Sequence, residues 1–303
     1  MNYFAFGLTI ATDLDFENEL SKSILPPDLS IFEGMVESSS KMTPTKVFRN
    51  NERLWFYEKN HNQATLFWPN IGYFLIENGS TITYQRLGDS LGTLKLFVLS
   101  EVIGFALKQR NIYLLHGSAV QINNEAHVFV GVPGAGKSTT ATAFWKKGYS
   151  ILSDDMVLIT NVNQFTFVIP SFSQFKIWNK TIEGLKLDSN NLSPSFEGGD
   201  KYLLQQDVET FPKELIKLKS INILLKHNSS KKDGEIKSIF APTELIKHYP
   251  LPYELLKGDN LKNHFSQSMK IASTTKVYQK KRPKDFNALN TYIDNFIYNN
   301  TNV

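Results

Sequence analysis

Eight consecutive residues, Gly131-Val132-Pro133-Gly134-Ala135-Gly136-Lys137-Ser138, put glycines at three spaced positions and finish on a lysine and a hydroxyl. Glycines let successive backbone N–H groups turn toward one point, where they can surround the oxygens of a phosphate chain. In a loop of this pattern Lys137 reaches the β- and γ-phosphates and the Ser138 hydroxyl ligates Mg²⁺. Pro133, Ala135 and Thr139 complete the nucleotide cradle, and a helix opening at Lys137 adds its positive end. A purely structural glycine turn is the bland alternative, and the strand and helix read on either side weigh against it.

Two adjacent carboxylates, Asp154 and Asp155, follow the short apolar run YSILS. One of such a pair can hold Mg²⁺, while its neighbour, displaced along the chain, can take a proton from an attacking hydroxyl. A plain nucleotide hydrolase needs the first function and not the second; two aspartates that only close a strand need neither. His116, in LLHGSAVQI, lies in a hairpin whose other strand feeds the glycine loop, so it can serve as a donor to the γ-phosphate; a histidine satisfied in the core is the other reading. Lys201, in GGDKYLL, is either an exposed loop lysine or a cation that steadies the transferred phosphoryl group. No other histidine stands at helical spacing from a second ligand, which disfavours zinc.

The elements that must position these groups follow from the hydrophobic pattern. Residues 1–88 alternate in short apolar runs with turn residues such as ENGS between them, a β-rich segment without a chemical motif. A helix is expected from about Ser90 to Gln109, with Leu94, Phe97, Val98, Val102, Phe105 and Ala106 near helical spacing. NIYLLHGSAVQI reads as a strand or strand pair, Asn123-Asn124 as a turn, and AHVFVG as the strand entering the glycine loop. Lys137 to Lys147 reads as a helix capped by Gly148, and YSILS as a buried strand with the aspartates at its C-terminal end, the edge where open α/β sheets bind ligands. MVLITNV and FTFVIP suggest a hairpin, SINILLKH a further strand, and Ser189 to Lys201 a mobile loop. From Thr243 the chain reads mainly helical, with an acidic cap at Asp285 opening the last helix.

The 303 residues are 41% hydrophobic with a net charge of +4, as expected for a globular protein. With no cysteine, disulfides and thiolate metal sites are excluded. The apolar stretch LKLFVLSEVIGFAL is broken by Glu101 and is too short to span a bilayer, and the first residues do not read as a secretory signal. The simplest reading is a soluble cytoplasmic protein with no membrane partner. Lysines cluster in KKDGEIK and KVYQKKRPK, as a solvated face or as a surface for phosphates or an acidic peptide. They lack the interleaved aromatics of an RNA-binding signature, so nucleic acid is not expected.

Taken together, LLHGSAVQI, GVPGAGKSTTATAFWKKGYSILSDD and their spacing resemble the HPr kinase/phosphorylase family and its smaller relatives. PSFSQFKIW, GGDKYLL, VYQKKRPKDFNAL and YFAFGLTIATDL extend the similarity toward the HPr-kinase-related proteins encoded beside peptide natural-product genes, among them kinases that phosphorylate a serine of lasso-peptide precursors. The resemblance implies an α/β fold: a P-loop HPr-kinase-like core with C-terminal helices over residues 89–303, and the β-rich segment in place of that family's N-terminal regulatory domain. It implies ATP and Mg²⁺ as cofactors, Lys137 and Ser138 on the phosphates and metal, Asp155 as the proton-accepting carboxylate, Asp154 as its metal-side partner, and His116 beside the phosphate. The bifunctional family's glycine-rich signature loop is not found. The expected function is an ATP-dependent serine kinase acting on a peptide, a lasso-type precursor; a kinase of a small alcohol such as free serine, or an NTPase module without an acceptor, are the alternatives. Family relatives form oligomers, so a homo-oligomer is expected on the same ground.

Overall fold

Short apolar runs punctuated by Gly, Asn and Pro favour strands that bury every second side chain, and the first third of the chain follows that rule. The computed structural model describes residues 1–49, 51–188, 192–194 and 200–301. It is mixed α/β and divides into two units, Met1–Ile112 with Leu251–Lys257, and Tyr113–Pro250 with Gly258–Val303. The first unit thus contains the helical stretch that follows Ser90 as well as the β-rich segment.

In the first unit the strands are β1 (Asn2–Ala5), β2 (Leu8–Thr12), β3 (Ser21–Lys22), β4 (Leu29–Glu33), β5 (Thr43–Arg49), β6 (Glu52–Asn60), β7 (Gln63–Trp68), β8 (Gly72–Glu77) and β9 (Thr81–Arg86). Among the described residues they form one nine-stranded sheet in the order β3-β1-β2-β4-β9-β8-β7-β6-β5. β5 to β9 run as an antiparallel meander, while β4 lies parallel to both β2 and β9. Asn78 and Gly79, both at positive φ, make the tight turn between β8 and β9. The expected helix is α1 (Leu91–Phe97) and α2 (Ile103–Gln109), joined by a wider π-helical turn at Val98–Val102. Ser90 caps it by accepting from the Thr93 N–H. Trp68 meets Phe74 and Phe97 edge-on, with ring centroids 5.9 and 5.0 Å away.

The second unit is built on β10 (Tyr113–Leu115), β11 (Gly117–Ile122), β12 (Glu125–Gly131), α3 (Lys137–Lys146), β13 (Ile151–Ser153), β14 (Val157–Val162) and β15 (Phe165–Ile169). There follow β16 (Gln174–Trp178), α4 (Asn179–Leu185), β17 (Leu192–Pro194), β18 (Lys201–Gln205), β19 (Ile216–Leu225), β20 (Gly234–Ile236), α5 (Ala241–Leu245), α6 (Gly258–Thr274), β21 (Lys276–Lys281) and α7 (Phe286–Thr301). The main sheet runs β10-β14-β15-β19-β12-β11-β13, with β21 also on β19 and β20 on β21. β12, β19 and β21 are parallel to one another, and β11 runs antiparallel between β12 and β13. One face of the sheet packs Val128, Val130, Leu152 and Ile223 against Leu245 and Ile271 of α5 and α6. The other packs Phe129 and Ile151 against Phe144 of α3 and Ile293 and Phe296 of α7.

Two features depart from the sequence expectation. Lys276–Lys281 lies within the stretch read as mainly helical and within a lysine cluster read as surface, yet it is a strand paired in register with Ser220–Leu225. Its Val277 enters the core while the lysines at either end stay exposed, so charge hides a strand with a single buried residue. A small antiparallel sheet, β16-β18-β17, was also not anticipated. Of the segment Ser189 to Lys201 read as a mobile loop, residues 189–191 and 195–199 lie outside the described residues.

Candidate functional site

The parallel strands β12, β19 and β21 end at one edge of the second unit's sheet, and the antiparallel pairings bring Ser118 at the start of β11 and Asp154 just after β13 to the same edge. β12 is buried along nearly its whole length. It ends at Gly131, where a Cβ would stand 2.8 Å from both the Leu224 carbonyl oxygen and the Ala135 Cβ. The chain can turn that closely only without a side chain. Gly136, at φ 93°, then opens α3 with no side-chain cap, so the first N–H groups of the helix stay available to an anion. Pro133 and Gly134 are exposed on the turn, and Ala135 is buried beneath it.

Lys137 is the first residue of α3 and is 8% exposed. Its ammonium donates to the Gly131 carbonyl at 3.2 Å, folded back over the loop. Burial lowers its pKa, and the carboxylates of Asp155 and Asp154 oppose that shift. Ser138 hydrogen-bonds the Asp154 carboxylate, whose Oδ1 also accepts from the Ser118 hydroxyl at 2.5 Å. Burial, then the charge of Asp155, push the Asp154 carboxyl above its ordinary range; the two serines and the Asp155 N–H pull the other way. The Thr139 hydroxyl lies 2.9 Å from that of Thr181 in α4.

Asp155 is exposed and sits at φ 63°, a left-handed conformation that aspartate tolerates. This twist ends the run of β13 and separates the environments of the two carboxylates, one half-buried between serines and the other open to solvent. The Asp155 carbonyl lies 2.9 Å from His116 Nδ1. A carbonyl only accepts, so Nδ1 carries the proton, and a neutral His116 presents a lone pair at Nε2. Donation from His116 to a phosphate oxygen therefore requires the imidazolium. The His116 N–H donates to the His248 carbonyl at 2.6 Å. The buried His248 ring is held neutral, its pKa lowered to about 4 by burial and by the charges of Lys137 and His116.

Lys137, Ser138, Asp154, Asp155 and His116 thus meet at one sheet edge. Lys201 lies at the start of β18, its ammonium 4.9 Å from the centre of the Trp178 ring, and the glycines before it are outside the described residues. Sequence reading did not single out Ser118, His248 or Arg282, whose guanidinium reaches the Gly134 carbonyl. Ser118 had a signal, its place two residues after His116, on a strand that pairs it with Phe129 two residues before Gly131. Arg282 lay within KVYQKKRPK, one reading of which was a surface for phosphates, while His248 had no signal, since only the tertiary fold brings it here.

Among the described residues no group of three or more His, Cys, Asp or Glu is arranged to hold a metal ion. The hard oxygen donors of Asp154 and Ser138 fit Mg²⁺, which takes one or two carboxylates and fills its other positions from phosphates and water. Among the described residues no helix is long and apolar enough to cross a membrane.

No family model matches the chain, and no curated protein matches it. Among solved structures, the Hpr(Ser) kinase/phosphatase from Coxiella burnetii is a neighbour at 12% identity, covering 62% of this chain and 95% of that one with a TM-score of 0.34.

Proposed function

We propose that this chain is an ATP-dependent kinase that transfers a phosphoryl group to a serine hydroxyl of a peptide. The observation that carries the reading is the division of labour between the aspartates. Asp154 is drawn toward the loop by Ser138 and Ser118, while Asp155 stands exposed beside it. A switch or a simple hydrolase has use for the first carboxylate only. The peptide acceptor rests on the sequence resemblance, which extends to kinases of lasso-peptide precursors.

In this reading the N–H groups opening α3 and the Lys137 ammonium hold the phosphates. Ser138 and Asp154 would hold Mg²⁺, which when bound would supply neutralisation of charge on the phosphate oxygens. Asp155 accepts the proton of the serine hydroxyl as its oxygen bonds to the γ-phosphorus and the bond to the β–γ bridging oxygen breaks, releasing ADP. His116 fixes the backbone of Asp155 and so the direction of that carboxylate.

The experiment is incubation with γ-labelled ATP and Mg²⁺, with serine-containing precursor peptides and free serine offered separately. Label on a peptide serine is expected. Label on free serine alone would reassign the acceptor to a small alcohol, and release of inorganic phosphate alone would remove the kinase reading.

A further inference from the structure

Arg282 lies far in sequence from the glycine loop, yet it is tied to it. Its backbone is pinned from both sides: the Lys281 N–H donates to Asp233 Oδ1 at 2.8 Å and the Arg282 N–H to the Leu225 carbonyl at 2.9 Å. Pro283 follows with its fixed φ, so the side chain leaves from a set point at the end of β21. The guanidinium Nη1 donates to the Gly134 carbonyl at 3.0 Å. On the other side of that same peptide unit, the Ala135 N–H donates to the Val132 carbonyl at 2.9 Å. The Gly134–Ala135 peptide is therefore held at both ends, in a turn where glycine at φ 74° would otherwise leave it free to flip.

Two further facts point toward an anion. Nε of Arg282 is buried with no hydrogen-bond partner, and among the described residues no carboxylate pairs with the guanidinium. An always-charged group is thus fixed against a phosphate-type loop without a counter-charge. Loop carbonyls kept outward by an external donor leave the inner side of the turn to N–H groups.

We propose that Arg282 is the positioning residue that sets nucleotide affinity, fixing the shape of the glycine turn through Gly134 and adding positive charge beside bound phosphates. The inference rests on the nucleotide reading of the loop. It makes the strand β21, which carries no part of the loop motif, a component of the cradle.

The test compares ATP binding by calorimetry and the split between KM and kcat in wild type, Arg282→Ala, Arg282→Lys and Lys284→Ala. Arg282→Ala is expected to weaken ATP binding about tenfold or more and to raise KM by a similar factor with kcat within about twofold, the loss of one charge-assisted bond. Arg282→Lys, which keeps the charge but loses the planar fork, recovers part of the affinity. Lys284→Ala removes a neighbouring exposed cation and leaves affinity unchanged. Equal affinity in wild type and Arg282→Ala, or an equal loss in Lys284→Ala, overturns this inference alone. Absence of ATP binding by folded wild type overturns the nucleotide reading and this inference together.

Discussion

Asp155→Asn should separate phosphoryl transfer from nucleotide binding. Asparagine is nearly isosteric with aspartate and tolerates the left-handed φ of 63° found at this position. The contact from His116 goes to the Asp155 backbone carbonyl and survives the change. The side chain is exposed, so its charge acts on Lys137 and Asp154 through solvent-screened distances. Such interactions are worth about 0 to 1 kcal/mol, which keeps the Kd for ATP within about fivefold of wild type. The loss of a proton acceptor costs about 10²- to 10⁴-fold in rate, or about 3 to 5 kcal/mol of transition-state stabilisation. Single-turnover transfer from γ-labelled ATP, run beside calorimetric titration of ATP, measures both quantities on the same preparation. A variant that binds ATP and transfers at the wild-type rate would refute the assignment of Asp155 as base.

Lys137→Ala should weaken ATP binding and slow transfer together, because the buried ammonium is the charge placed over the loop; calorimetry showing unchanged affinity would contradict that placement. Gly131→Ala forces a Cβ to within 2.8 Å of the Leu224 carbonyl, a backbone atom, and should lower unfolding stability by about 1 to 3 kcal/mol in urea titrations; an unchanged midpoint would show that the loop yields freely. Stability should also fall in acid. His127 and His264 are buried and kept neutral with pKa values lowered to about 4 by burial, so the unfolded chain takes up protons at these sites first. Their contribution is complete above about pH 6.5 and is lost as pH falls toward 4, each adding up to about 1.4 kcal/mol per pH unit to the slope. Replacing His127 with Gln should flatten that slope in urea titrations across the interval, and an unaltered slope would exclude it as a source.

The strand, glycine turn and helix around Lys137 were legible because each is specified locally. An apolar run gives β12, glycines permit the turn, and Gly148 at φ 91° follows the end of α3. The last helix was equally readable, with Asp285 Oδ1 accepting from the Ala288 N–H as a cap. What escaped was fixed by pairing at long range. β21 hides one core residue among lysines, and nothing in its own sequence says that β19 lies beside it. Ser118 matters because register sets its hydroxyl against Asp154, a relation that neither residue announces alone. The protonation of His116 likewise depends on a carbonyl thirty-nine residues away, which only coordinates place beside its ring.

The pairing of β21 with β19 also has a bearing on synthesis. β12 and the glycine loop leave the ribosome before β19, and the edge of β19 from Ser220 to Leu225 finds its partner only when Lys276–Lys281 has been made. Until then that stretch of β19 presents unpaired backbone groups on the side β21 will occupy. A nascent chain stopped short of β21 would have the whole loop motif but not the guanidinium that grips Gly134.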